Sequence, residues 1–211
     1  MSKPDSPLMP SRLAKRTSTD KQAIYSILDE ALICTVSAAN GKEVFSIPTS
    51  FVRYGDKLYI HGSVGSHFIR AIEKENVCIV VTLIDALVVA KSAFHHSMNY
   101  RSVILFARAE KIDAPEEKKL VFEWLTNKIV PGSWDYLRPI QDKEIARTAV
   151  LAFPIDQASA KIRTGMPVDD EEDLALPIWS GLIPIHTERQ KPIADDTSLH
   201  IPIPAHLKTT Q

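Results

Sequence analysis

At 211 residues, with 45% hydrophobic and 24% charged side chains, the chain has the composition of a globular domain able to bury a core. Its net charge of −1 provides no field that would gather DNA, RNA or an anionic membrane, which excludes a general nucleic-acid binder. Any anion must be caught by a local pocket. The longest apolar runs, Val77 to Leu83 and Leu87 to Ala90, are too short to span a bilayer. The opening MSKPDSPLMP holds no continuous apolar stretch, so no secretory signal is expected and the cytosol is the expected compartment.

Residues 1–18, with three prolines and the basic group Arg12, Lys15 and Arg16, read as a flexible arm. A helix follows, with Thr19 and Gln22 at capping-box spacing and Ile24, Ile27, Leu28 and Ala31 at helical intervals. The period then drops to two. Leu32, Cys34, Val36 and Ala38 alternate with polar or smaller residues, and Asn40-Gly41 supplies a hairpin turn. A second strand is expected from Val44 to Arg53 and a third from Leu58 to His61, the three forming a meander. Gly62-Ser63-Val64-Gly65-Ser66 leads into a short helix with Phe68, Ile69 and Ile72 on one face. Further strands are expected over Val77–Leu83, Leu87–Phe94 and Tyr100–Ile112. Cys34 and Cys78 lie in apolar stretches without a CxxC neighbour and read as core thiols.

Asp113 is the expected cap of a second helix, with Pro115 in its first turn and Leu120, Val121, Trp124, Leu125 and Ile129 as its apolar face. Pro131-Gly132 ends it. A last strand is expected over Thr148–Ile155, then an acidic loop from Asp169 to Asp173. Pro177–Ile185 is apolar and docks on the body, and residues 187–211 form a polar tail around a domain of residues 19–186. Many strands without βαβ alternation favour a closed antiparallel barrel. No GxGxxG, Walker loop or GxSxG is present.

Three segments can carry chemistry. LYIHGSVGSHFIR, residues 58–70, runs from a strand through glycines and serines into a helix, an arrangement that suits a phosphate but also describes an ordinary turn. His61, His67 and Arg70 lie beside it. SAFHHSMNYRSV, residues 92–103, concentrates Asn99, Tyr100, Arg101 and Ser102 between apolar strands. Arg101 is the natural second contact for a phosphate because its fork grips two oxygens. A metal on His95-His96 is not expected, since neighbours on a strand point to opposite faces. In FSIPTSF, residues 45–51, Pro48 cannot donate to a ladder, so this strand is an edge, a bulge or a place kept open for a ligand. No nucleophile, base and orienter occur together, whereas a cofactor would bring its own electron chemistry. Trp179 is either a cover for an aromatic ring or a docked core side chain.

In order, ICTVSAANGKEVFSIPTSF, YIHGSVGSHFIR, LVVAKSAFHHSMNYRSVILFARA, and SAKIR followed by DDEEDLALPIWSGLIP resemble the FMN-binding split-barrel superfamily. The resemblance is nearest to its pyridoxamine 5′-phosphate oxidase-like branch, which is also similar to nitroimidazole-resistance reductases. It implies a mainly β fold with accessory helices, built on a six-stranded antiparallel Greek-key split barrel. It also implies a homodimer with FMN near the subunit interface. Ile47, Pro48, Thr49 and Ser50 would lie along the isoalloxazine. His61, Ser63, Ser66 and His67, helped by Arg70, would lie near the phosphate, and Asn99, Tyr100, Arg101 and Ser102 would complete the site. His67 stands where many members carry Lys or Arg, and the substrate-binding Arg/His pattern of true pyridoxamine phosphate oxidases is not recognisable. The implied function is an FMN-dependent oxidoreductase passing electrons from a nicotinamide nucleotide to a small acceptor. The alternatives are a flavin-binding module without turnover, and a haem-binding split barrel with His61 or His96 as axial ligand.

Overall fold

The computed structural model describes residues 14–208 apart from 42 and 74; Arg12 and the rest of the expected arm before residue 14 lie outside the described residues. After a short 3₁₀ turn, β1 (Thr17–Ser18) pairs with Ala160 and Lys161, so the arm's last residues belong to the sheet. Helix α1 (Lys21–Glu30) is capped by Asp20, whose side chain accepts from the Ala23 N–H, and not by the Thr19 box. Its Ile24, Ile27 and Leu28 are buried.

Strands β2 (Ile33–Asn40) and β3 (Glu43–Ser50) form the Asn40-Gly41 hairpin, with Gly41 at φ 63°. The expected strand from Val44 to Arg53 breaks at Phe51. β4 (Val52–Tyr54) leaves the first sheet and pairs with β5 (Lys57–Ser63) in a second, so the three do not form one meander. Phe51 is buried in one core and Val52 in the other. After α2 (His67–Ile72) comes β6 (Asn76–Val89), one 14-residue strand where two were expected. Asp85 is absorbed as a bulge between Ile84 and Ala86. β7 (Ser97–Arg108) pairs along β6, and β8 (Glu110–Ile112) crosses to the second sheet.

Helix α3 (Pro115–Ile129) starts at Ala114 without a side-chain cap, so Asp113 does not take the expected role. Leu120 and Ile129 are exposed, whereas Lys118 is buried and donates to the Thr148 carbonyl at 2.9 Å. Helix α4 (Asp142–Ala146), β9 (Thr148–Pro154), β10 (Gln157–Arg163) and β11 (Gly181–Pro184) complete the fold. β11 pairs with Ala86–Val89 of β6, which is how the apolar segment after Pro177 docks.

The result is two antiparallel sheets, β1-β10-β7-β6-β2-β3 with β11 on β6, and β4-β5-β9-β8. This is the split-barrel class, with short extra strands beyond the six expected. The main core lies between the sheets and is closed by α1 and α2; a second core, with Val121, Leu125 and Val150, lies between the second sheet and α3. Among the described residues no helix covers the other face of the first sheet. Cys34 is fully buried, with its thiol pushed up to about 12 by burial. The tail does not hang free: Arg189 donates to the Ile129 carbonyl at 2.8 Å, and the His206 ring lies 5.1 Å from that of Tyr136.

Candidate functional site

The glycine-serine turn connects β5 to α2. Gly62 is required there, because a Cβ would lie 2.7 Å from Ile69 Cγ1, inside any normal contact. Ser63 Oγ accepts from the Gly65 N–H at 3.2 Å, and Ser66 caps α2 by accepting from Ile69 N–H at 3.4 Å. Both hydroxyls therefore fix the turn. Among the described residues the N–H groups of His67 and Phe68 have no partner, and the exposed Arg70 reaches back to the Gly65 carbonyl at 3.3 Å. Two open N–H groups with an imidazole and a guanidinium beside them fit an anionic group.

β3 is the edge of the first sheet, so Pro48 sits where a missing donor costs least. Register alternation divides the segment. Ile47 and Thr49 pair with the buried Val36 and Cys34, while Pro48 and Ser50 pair with Thr35 and Ile33 on the uncovered face. That face is laid out in rows across the strands. One row runs unbroken through Pro48, Thr35, Val80, Ile104 and Ser159, while beside it Ser50 pairs with Ile33 and Thr82 pairs with Ser102, which pairs with Lys161. Ile84, Tyr100 and Arg163 continue it at the bulge. Ser102 and Tyr100 thus share a face with Pro48 and Ser50.

Asn99 and Arg101 turn the other way. Buried Asn99 donates to the Gly165 carbonyl at 3.1 Å and accepts from Arg163 at 2.5 Å. The Arg101 guanidinium holds Asp85 through Nε, at 3.0 and 3.1 Å, and Nη2, at 2.7 Å. It also holds Glu30 through Nη1 and Nη2. All but one of its N–H groups are taken, its pKa is raised by Glu30 and then Asp85, and the Glu30 carboxyl is lowered in return. It lines a cleft of about 540 Å³ with Glu30, Thr82, Ile84, His186 and Arg189, which does not include the Ser63–His67 turn. Within one chain the turn and Arg101 do not converge on a single phosphate. Glu30, Asp85, His186 and Arg189 were not among the sequence candidates. The one available signal was Asp85, a lone charge inside an apolar run.

His61 faces away from the barrel interior, its ring 6.1 Å from that of Phe122 of α3. Its Nδ1 is buried without a partner, and burial holds its pKa below the ordinary histidine value. His67 is exposed. His95 Nε2 meets Asp170 at 3.1 Å, while His96 Nδ1 meets the Ser92 carbonyl at 2.9 Å. Trp179 is 64% exposed and folds over Gly181, so it is no core side chain.

Comparison with known proteins adds to this geometry. The family described as pyridoxamine 5′-phosphate oxidase matches residues 20–162. The chain is similar to the solved flavocytochrome Anf3 from Azotobacter vinelandii, at 37% identity and TM-score 0.89 over 96% of each chain. It is also similar to an FAD and haem binding protein from Mycobacterium smegmatis, at 35% identity and TM-score 0.87, over 91% of this chain and 95% of that one. A structure from Bacteroides thetaiotaomicron, described in terms of 5-nitroimidazole antibiotic resistance, shares the fold at 24% identity and TM-score 0.57, over 69% and 86% of the two chains. No curated protein matches. The chain belongs to the pyridoxamine 5′-phosphate oxidase family of split barrels.

Proposed function

We propose that this protein is a flavin- and haem-binding electron-transfer protein that works as a homodimer and takes its electrons from a nicotinamide nucleotide. The observation that carries this reading is the likeness, at 37% and 35% identity over 96% and 91% of this chain, to a flavocytochrome and to an FAD and haem binding protein. Coverage that wide reaches past residue 162, where the family match ends, into the loop and tail. The flavin is proposed to be FAD, the form named for the Mycobacterium smegmatis relative, in place of the FMN implied by the superfamily resemblance. Oxidation of pyridoxamine phosphate is not part of the proposal.

The chain's own groups have simple tasks in this scheme. The open N–H groups of His67 and Phe68, with His67 and Arg70, hold the flavin phosphate. The edge of β3 offers backbone groups to the polar end of the ring system. Flavin and haem supply the electron chemistry, while the protein positions them and excludes water. The uncovered sheet face, with exposed Ile33 and Ile84 beside part-buried Val80, Ile104 and Phe106, is the surface a second copy would cover.

The absorption spectrum of the purified protein tests the proposal. A flavin envelope together with a Soret band is expected, with acid-released flavin identified as FAD by mass. A colourless protein that takes up neither group on reconstitution overturns it. Anaerobic addition of NADH or NADPH should bleach the flavin, and sedimentation should report a dimer.

A further inference from the structure

His96 has the geometry of a prepared metal ligand. Its Nδ1 is 2.9 Å from the Ser92 carbonyl, a contact that places the proton on Nδ1 and leaves the lone pair on Nε2. Among the described residues nothing bonds Nε2, and the side chain is exposed. The preceding residue is committed elsewhere, since His95 Nε2 meets Asp170.

Close to His96 in the sequence lies an exposed apolar ladder. Two residues further on, Met98 opens a cross-strand ladder, pairing with Leu87, which pairs in turn with Ile183 of β11. All three are exposed, at 48%, 39% and 48%, and Phe94 beside His95 is 89% exposed. Three apolar side chains in register across adjacent strands make a flat wall, which water leaves at a gain if something apolar covers it. The loop carrying Asp169 and Asp170 is fastened alongside, because Lys91 donates to the carbonyls of Leu176 and Ile178.

His61 lacks these features. Its Nδ1 is buried with no acceptor to fix the tautomer, and its ring is packed under α3 beside the filled second core.

Resting on the flavin and haem reading above, we infer that His96 Nε2 is the axial haem ligand, and that the Ile183–Leu87–Met98 ladder is the wall against which the macrocycle lies. A neutral imidazole with its second nitrogen tied to a carbonyl is the donor that haem iron takes. The flat, largely apolar ring matches the ladder. Reaching the iron requires no rearrangement of the Ser92–His96 contact.

The test uses the full chain loaded with haemin, in the wild type and in His96→Gly, His96→Asn and His61→Ala variants. Haem per chain, the Soret position and the electron paramagnetic resonance spectrum are read, with flavin per chain and the melting curve of the unloaded protein as fold controls. The His96 variants should lose the wild-type ligand signature and bind haem at least about tenfold more weakly, with flavin content unchanged. Added imidazole should restore the signature in His96→Gly, and His61→Ala should behave as the wild type. Leu87→Glu should also lower haem per chain with Nε2 intact. A His96 variant that keeps the wild-type Soret band and resonance spectrum overturns the ligand assignment alone. A wild-type chain that binds flavin but no haem overturns the haem half of the proposed function as well.

Discussion

Arg101 and Asp85 meet across the bulge of β6, with Nη2 2.7 Å from the carboxylate and both side chains about one-third exposed. The bulge makes this possible, because it inserts Asp85 as an extra residue between Ile84 and Ala86 and shifts the pairing with β7 by one residue from there on. Glu30 at the end of α1 completes the clasp, so one guanidinium ties the helix that closes the barrel to the sheet. Replacing Arg101 with alanine leaves two carboxylates without their cation. A loss of about 1–3 kcal/mol is expected for partly exposed charged hydrogen bonds, read by urea denaturation. Acid should act similarly on the wild type. The Glu30 carboxyl is lowered in the folded protein, so its contribution is complete above the unfolded value near 4.5. It fades as pH falls from there through the lowered folded value. Full flavin loss in the variant without loss of stability would mean that Arg101 serves the ligand and not the clasp.

Gly62 and Ile69 set how closely α2 lies against β5. A Cβ at residue 62 would be 2.7 Å from Cγ1 and 2.9 Å from Cδ1 of Ile69, which is itself buried. Gly62→Ala must therefore move the buried Ile69 side chain or the helix that carries it, at a cost of about 1–3 kcal/mol for overpacking. Since His67 and Phe68 carry the open N–H groups, flavin affinity should fall along with stability. Gly62→Ala/Ile69→Val gives back some volume and should recover part of both, as melting curves and flavin titration would show.

The sequence made the layers legible where one residue's environment is set by its own pattern. Alternation in β2, the Asn40-Gly41 turn and the helical spacing of Ile24, Ile27 and Leu28 all express which side faces the core. The sheet switches were less visible. Phe51 and Val52 are consecutive apolar residues buried in different cores, and an unbroken apolar pattern gives no mark of the corner between them. Asp85 reads as the end of a strand because its compensation lies in Arg101, sixteen residues further on, and becomes visible only once β6 and β7 are in register. The same limit applies to the site. Tyr100 and Arg101 are neighbours in sequence with different destinations, and only pairing shows that one faces the open sheet and the other the clasp.

Lys91 should control the loop beside β11. Its ammonium donates to the Leu176 carbonyl at 2.5 Å and the Ile178 carbonyl at 2.9 Å, and its backbone N–H donates to Asp169 at 2.8 Å. Lys91→Ala removes the first two contacts and keeps the third. Local opening of residues 170–178 should become easier by about 1–3 kcal/mol, while the barrel melts as before. Limited proteolysis should then cut within that stretch several times faster than in the wild type. Unchanged cleavage would show that the β11 pairing and the Asp169 and Asp170 contacts hold the loop without the ammonium.

Lys128 is a charge held in a costly place. Its Nζ lies 3.8 Å from the centre of the Phe51 ring and donates to the Leu28 carbonyl at 2.7 Å. No carboxylate lies within ion-pair distance of it among the described residues. Burial lowers its pKa from 10.5 to about 8. The folded chain therefore gives up this proton more readily than the unfolded chain. Between about pH 8 and 10.5 the unfolded state binds more protons at this site, so its contribution to stability rises with pH across that window and is flat on either side. Lys128→Met keeps the length and apolar stem and removes the titration. The difference in denaturation midpoint between variant and wild type should therefore favour methionine most below pH 8 and shrink steadily toward pH 10.5. A difference independent of pH over that range would mean that Lys128 keeps its ordinary pKa, and that its ammonium is solvated when the chain is folded.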